Sequence, residues 1–139
     1  MPKRTYIDTS VLITAFRGFS EMAERAYRVL DDPQRRLVVS EAVRLEVLPK
    51  AVYNGHSEEV EFYQSVFNDS RTEILDWNLE VLKEAYSLAK EYGISAMDAI
   101  HIAHAIAAGV DEFVTCEKNT KPLFRVREIQ TRSLRDEGV

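Results

Sequence analysis

The sequence predicts an α/β protein built on a parallel sheet. Short β-prone runs alternate with longer segments of helical periodicity along the whole chain. Alternation of this kind implies parallel strands covered by helices. A length of 139 residues, 45% of them hydrophobic, suits a single domain over residues 1–139 with little room for a second.

Taken in order, Arg4 to Ile7 reads as a first strand ending at Asp8. Ser10 to Phe16 is a short helix broken by Gly18, and Glu21 to Leu30 is a helix with Met22, Ala26, Val29 and Leu30 on one face. Asp31-Asp32-Pro33 ends it. Leu37-Val38-Val39 is a buried strand. Ser40 is a suitable N-cap for a helix to about Tyr53, with Pro49 expected to kink it. Ser57 to Phe67 forms another helix. Glu73 to Trp77 is a third strand, and Leu79 to Tyr92 an amphipathic helix with Leu82, Ala85, Tyr86 and Ala89 in register and Gly93 as its stop. Ser95 caps a helix reaching Ala108, closed by Gly109. Glu112 to Thr115 is a fourth strand and Glu128 to Thr131 a weaker fifth, with a short helix between them. The last few residues are expected to fray.

Composition narrows the function classes. Charged residues make up 29%, ordinary for a globular protein and against disorder. The single cysteine, Cys116, has no internal partner; a buried thiol in a reducing cytosol is the expectation. Ala99 to Val110 is too short and carries two histidines, so no membrane span is expected. Met-Pro-Lys-Arg leads to Asp8 before any long apolar run, which does not read as a signal peptide. The expected location is cytoplasmic. A net charge of −5 disfavours broad nucleic-acid binding, yet a site that holds divalent metal itself contributes negative charge.

The candidate chemistry lies in carboxylates. In open α/β sheets functional groups gather at the carboxyl ends of strands, and Asp8, Ser40 and Thr115 all stand at such ends. Each acid has a structural reading when taken alone. Asp8 can cap the next helix. Glu46 can pair with Lys50 one turn on. Asp98, in Ser95-Ala96-Met97-Asp98, fits a capping box, although the apolar helix after it leaves a carboxylate there in need of a partner. Glu117 can be an ordinary loop residue. Asp111 falls at the opposite end of its strand. Together, crowded carboxylates resist ionising. Bound Mg²⁺ or Mn²⁺ relieves that, since such hard cations prefer oxygen ligands, and carboxylate-held metals are the usual apparatus of phosphodiester hydrolysis.

Four strings, in order, resemble the PIN-domain family, in particular VapC-like toxins of toxin–antitoxin pairs. They are Tyr6-Ile7-Asp8-Thr9-Ser10-Val11-Leu12-Ile13, Ser40-Glu41-Ala42-Val43-Arg44-Leu45-Glu46-Val47, Met97-Asp98-Ala99-Ile100-His101-Ile102-Ala103-His104-Ala105 and Phe113-Val114-Thr115-Cys116-Glu117. The resemblance implies a three-layer α/β/α fold with a central parallel sheet of about five strands. It also implies a metal-dependent endoribonuclease leaving 5′-phosphate and 3′-hydroxyl ends. Asp8, Glu46 and Asp98 match the family's three main acids. Glu117 matches a fourth that is usually Asp, and its extra methylene points to action through water. Thr9, Ser10 and Thr115 are expected to hydrogen-bond a ligand, water or phosphate. Thr120 stands where an aromatic is common. The implied partners are an RNA substrate, a small antitoxin and a second copy of the chain.

Other readings have weaker support. His101 and His104 have zinc spacing, but only His56 and Cys116 remain as further soft ligands; packing or hydrogen bonding on the helix surface is expected instead. Arg125, Arg127, Arg132 and Arg135, with Lys118 and Lys121, can meet phosphates or simply face solvent. Tyr6, Phe16 and Phe19 are expected in the core. A non-catalytic PIN-fold binding module is one rival, and an RNA-processing nuclease outside a toxin–antitoxin pair is another. A phosphatase using Asp8 as nucleophile is disfavoured, because Ser10 stands where a second Asp is wanted.

Overall fold

The computed structural model describes residues 2–136, which form a parallel sheet and the helices that cover it. The strands are β1 (Lys3–Ile7), β2 (Arg35–Ser40), β3 (Glu73–Leu75), β4 (Glu112–Thr115) and β5 (Thr131–Ser133). The helices are α1 (Thr9–Arg17), α2 (Glu21–Leu30), α3 (Glu41–Tyr53), α4 (Ser57–Phe67), α5 (Leu79–Tyr92) and α6 (Ala96–Ala108), with a 3₁₀ turn at Pro122–Arg125. The strand order is β3-β2-β1-β4-β5, and every neighbouring pair is parallel. The expected fraying of the last residues concerns positions outside the described ones.

The topology places the site. The chain winds outward from β1 through β2 to β3, then crosses back to β4 on the other side of β1. The direction of winding therefore reverses between β1 and β4, where ligands bind in sheets of this kind, beyond the carboxyl ends of the strands. Asp8 and Thr115 flank that point. The central strands are buried on both faces, with Tyr6, Ile7, Val38, Val39, Phe113 and Val114 at most 1% exposed. This is why they read as continuous apolar runs rather than alternating ones.

Helix ends follow local chemistry. Asp8, Ser20, Asn78 and Ser95 each accept a backbone N–H of the first turn. Gly93 and Gly109 end α5 and α6 in the left-handed conformation. Gly18 acts differently. A Cβ there would lie 2.7 Å from both Ala23 Cβ and the Thr14 carbonyl oxygen, so its bare Cα lets α2 fold tightly back on α1. Gly18→Ala is expected to cost about 1–3 kcal/mol, as overpacking does; urea denaturation checks it.

Several expectations need correction. Ser40 occupies the N-cap position of α3 but makes no capping bond; its hydroxyl is turned to Tyr6 instead. Helix α3 keeps its expected extent, running through Pro49 to Tyr53, and Pro49 lies on its exposed side, where water can satisfy the carbonyl that loses its partner. Strand β3 stops at Leu75, short of Trp77. Strand β5 begins at Thr131 rather than ending there, because Thr131, Arg132 and Ser133 register with Phe113, Val114 and Thr115. The buried face of α5 is Val81, Ala85, Leu88 and Tyr92. Leu82 and Tyr86, placed in register with Ala85 on the apolar face, are 39% and 68% exposed. Phe19 is fully exposed and Phe16 only partly buried, whereas Tyr6 is wholly buried. His101 and His104 are buried too, not on the helix surface.

The opposite, amino-terminal end of the sheet holds a charge cluster. Glu112 is 1% exposed. It accepts a hydrogen bond from Thr5 Oγ1 at 2.6 Å and pairs with Arg35 and Arg132 at 2.9 Å and with Lys3 at 3.7 Å. Asp111 accepts the Arg4 backbone N–H nearby. Arg132 is thus committed to the fold. So are Arg125, which donates to the Tyr92 carbonyl, and Arg135, which donates to the Cys116 carbonyl. Arg127 pairs with Glu91. Much of the basic C-terminal stretch serves structure rather than a phosphate-facing surface.

Candidate active site

Four segments converge beyond the carboxyl edge of the sheet. The β1–α1 junction supplies Asp8, Thr9 and Ser10. Helix α3 supplies Glu46, and α6 supplies Asp98 in its first turn and His101 one turn on, on the same face. The end of β4 supplies Thr115, with Glu117 beyond it.

Asp8 is the anchor, only 6% exposed. Its Oδ1 caps α1 by accepting the Ser10 N–H at 3.1 Å, and it also accepts the Ser10 hydroxyl at 2.5 Å. Ser10 Oγ in turn accepts the Cys116 N–H at 2.9 Å and lies 3.3 Å from Thr115 Oγ1. One hydroxyl therefore ties the start of α1 to the end of β4. Burial pushes the Asp8 carboxyl above its ordinary range. The Ser10 and Thr115 hydroxyls and the charge of His101 pull it back, and the charge of Asp98 pushes it up again. Asp8 and Asp98, ninety residues apart in sequence, are thus electrostatic neighbours.

Glu46 lies at the rim, its side chain 31% exposed. Its Oε1 accepts the Thr9 hydroxyl and faces His101 Nε2, both at 2.6 Å. Burial raises its pKa, but the bonds from His101 and Thr9 outweigh that and hold the carboxyl below its ordinary range. Its partner is thus His101 and not Lys50. Asp98 is half-buried, and its backbone N–H donates to Ser95 Oγ at 3.3 Å.

Glu117 is the least integrated of the candidate acids. Its N–H donates to Thr115 Oγ1 and its carbonyl accepts the Ser133 hydroxyl, so its backbone is fixed. Its carboxylate makes no hydrogen bond or ion pair among the described residues. Nor, among those residues, are three His, Cys, Asp or Glu side chains already converged as a metal-ligand set. The donor chemistry nonetheless fits a hard cation, since a buried carboxylate raised by its own burial and by a second acid is relieved by positive charge.

Sequence reasoning missed three members of this network. His101 Nδ1 lies 2.8 Å from Tyr6 Oη, which lies 2.7 Å from Ser40 Oγ. A signal was present. His101 interrupts an apolar helix three residues after Asp98, and a buried polar group there needs partners.

Comparison with known proteins bears on this arrangement. The family model described as "PIN domain" matches residues 5–126. The chain belongs to the PIN-domain family. Members of this family are nucleases, which makes hydrolysis of nucleic acid the general activity. Solved PIN structures share the fold closely. A toxin–antitoxin complex from Klebsiella pneumoniae superposes with a TM-score of 0.73 at 21% identity, covering 94% of this chain and 97% of that one. VapBC2 from Rickettsia felis, bound to a DNA fragment from its promoter, gives 0.65 at 18% identity over 94% and 98% of the two chains. VapC20 of Mycobacterium tuberculosis, described as a sarcin-ricin loop cleaving toxin, gives 0.64 at 16% identity over 78% and 86%. A search of curated proteins finds no match. The α/β PIN fold read from the sequence is the one observed.

Proposed function

We propose that this chain is a divalent-metal-dependent endoribonuclease and the toxin of a VapBC-type toxin–antitoxin pair. The observation that carries the reading is the buried Asp8 carboxylate at the winding reversal of the sheet, with Asp98 in the first turn of α6 and Glu46 held against His101 of that same helix. Asp8, Glu46 and Asp98 would hold Mg²⁺ or Mn²⁺, with Glu117 reaching the site through water. Such an ion supplies an activated water nucleophile and offsets charge on the phosphoryl oxygens. The chain's own residues do the rest. Ser10 and Thr115 fix Asp8, and Thr9 and His101 orient Glu46. A cleft beside Glu46, lined by Thr9, Ile13, Arg17, Lys50 and Tyr63 among others, offers a path for an RNA strand, with Lys50 as a cation for its phosphates.

The partners follow from the same reading. RNA as substrate is supported by the loop-cleaving description of VapC20, and an antitoxin by the complexes from Klebsiella and Rickettsia. No helix among the described residues is long and apolar enough to cross a membrane, in keeping with a cytoplasmic site of action. A homodimer is supported by the apolar strip of Trp77, Leu79, Leu82 and Tyr86, all 39–68% exposed. Sedimentation is expected to give twice the chain mass, and Tyr86→Asp to shift it towards the monomer. A monomeric wild type at micromolar concentration rejects the dimer.

Cleavage of a panel of structured RNAs with Mg²⁺, Mn²⁺ or EDTA tests the main proposal. Cutting that needs the cation is the expected result. No cutting with any RNA, together with no cation binding, would reject the enzyme and favour a PIN-fold binding module.

A further inference from the structure

We propose that Ser40, Tyr6 and His101 form a hydrogen-bonded strut that positions Glu46 for the cation. His101 acts as a positioning residue and not as a ligand. The inference rests on the nuclease reading above and adds a part to it.

The strut runs from the core to the rim through groups of four elements. Ser40 at the end of β2 contacts Tyr6 of β1 at 2.7 Å, and Tyr6 contacts His101 Nδ1 of α6 at 2.8 Å. His101 Nε2 then meets Glu46 Oε1 of α3 at 2.6 Å. A carboxylate only accepts hydrogen bonds, so Nε2 carries the proton and donates it. The far ring nitrogen is fixed by the Tyr6 hydroxyl. Tyr6 itself is immobilised by a stacked contact with Phe113, with ring centroids 5.4 Å apart and planes 8° apart. The imidazole therefore has one orientation, and its N–H one direction.

Two features separate positioning from mere satisfaction of buried groups. First, Glu46 needs no protein partner on grounds of burial, because its side chain is 31% exposed and water would serve. Yet both of its protein hydrogen bonds among the described residues fall on Oε1, from Thr9 and His101. This pins a long, otherwise mobile side chain and leaves Oε2 for a ligand. Second, Ser40 forgoes the capping bond open to it at the start of α3, a bond usually worth about 1 kcal/mol. Its hydroxyl goes to Tyr6 instead. Local rules are commonly broken where a functional site demands it.

The test is Mn²⁺ affinity of the full chain by titration calorimetry, with melting curves for every variant. Partners that orient metal ligands typically contribute about 10–100-fold in affinity. His101→Ala is expected to lose affinity in that range. His101→Gln, whose amide can place an N–H near the Nε2 position, is expected to recover most of it. Tyr6→Phe, which keeps the ring and its packing, is expected to bind Mn²⁺ several-fold more weakly. The strut is overturned if folded His101→Ala or Tyr6→Phe binds like wild type, or if His101→Gln is as weak as His101→Ala. Should His101→Ala fail to fold, Tyr6→Phe and His101→Gln decide. Asp8→Asn separates the two proposals. Mn²⁺ binding that is lost in Asp8→Asn but unmoved by the strut variants rejects the strut alone. No Mn²⁺ binding by wild type rejects the metal site and the strut together.

Discussion

Asp8→Asn is expected to abolish cleavage while leaving the protein at least as stable as wild type. The activity side follows from the position of Asp8. It is the most buried of the candidate acids, and its environment is set first by that burial and then by the Ser10 and Thr115 hydroxyls. Removing one hydrogen-bond donor that stabilises a transition-state oxyanion costs about 10²–10³-fold, and loss of a carboxylate that holds the cation should reach at least that. The stability side follows from burial. A carboxyl whose folded pKa is raised favours folding below its unfolded pKa and loses that contribution as pH rises through the folded value. Ionising Asp8 is therefore a cost to the fold when no cation is present. Asparagine removes the charge yet keeps an oxygen for the Ser10 N–H. Melting curves in EDTA should show Asp8→Asn equal to or above wild type at pH 7, with the gap closing on acidification. A variant clearly less stable at pH 7 would show that the carboxylate serves the fold.

Glu112→Ala is expected to do the opposite, damaging the fold without touching the site. Glu112 is buried among Thr5, Arg35, Arg132 and Lys3 at the far end of the sheet from Asp8. Arg35, with its side chain only 15% exposed, would be left without its shared carboxylate, though it keeps Asp32 at 3.0 Å. Breaking a buried pair from one side typically costs about 3–5 kcal/mol. Burial alone would raise the Glu112 pKa, but the Thr5 hydroxyl and the guanidinium of Arg35 outweigh it and hold the carboxyl below its ordinary range. Its contribution is therefore present above the unfolded pKa and lost as pH falls through the folded value. Urea denaturation at pH 7 should show a loss of about 3 kcal/mol or more, narrowing at acidic pH. A loss below about 1 kcal/mol would mean that the cluster is solvated and weak.

The contrast between these two acids explains what could be read from the sequence. The alternation of apolar runs with helical periods was legible because β1, β2 and β4 are buried on both faces and leave continuous hydrophobic strings. Strand β5 was misplaced because an edge strand reading Thr131-Arg132-Ser133 has no such string, and only its register with β4 defines it. The α5 face was misread because its apolar surface is wider than the core needs. That surplus, Leu82 and Tyr86, is what supports a partner surface. Asp8 and Asp98 were legible as candidates because they stand at a strand end and in the first turn of a helix, whereas Glu46, inside α3, was legible only through the family resemblance. The partners of Glu46 were not. Lys50 is its neighbour along the helix, whereas His101 comes from a helix fifty-five residues away, and sequence spacing carries no information about that contact. For the same reason the choice between phosphates and solvent for the C-terminal arginines missed a third role, since Arg132 pairs with Glu112 and Arg135 donates to the Cys116 carbonyl.

The most direct test of the metal centre is anomalous diffraction from crystals of the full chain soaked in Mn²⁺, collected above the manganese absorption edge. The account predicts a peak flanked by the carboxylates of Asp8, Glu46 and Asp98, absent from Asp8→Asn crystals. Manganese bound elsewhere, or density showing Asp8 still paired only with Ser10 at saturating Mn²⁺, would contradict it.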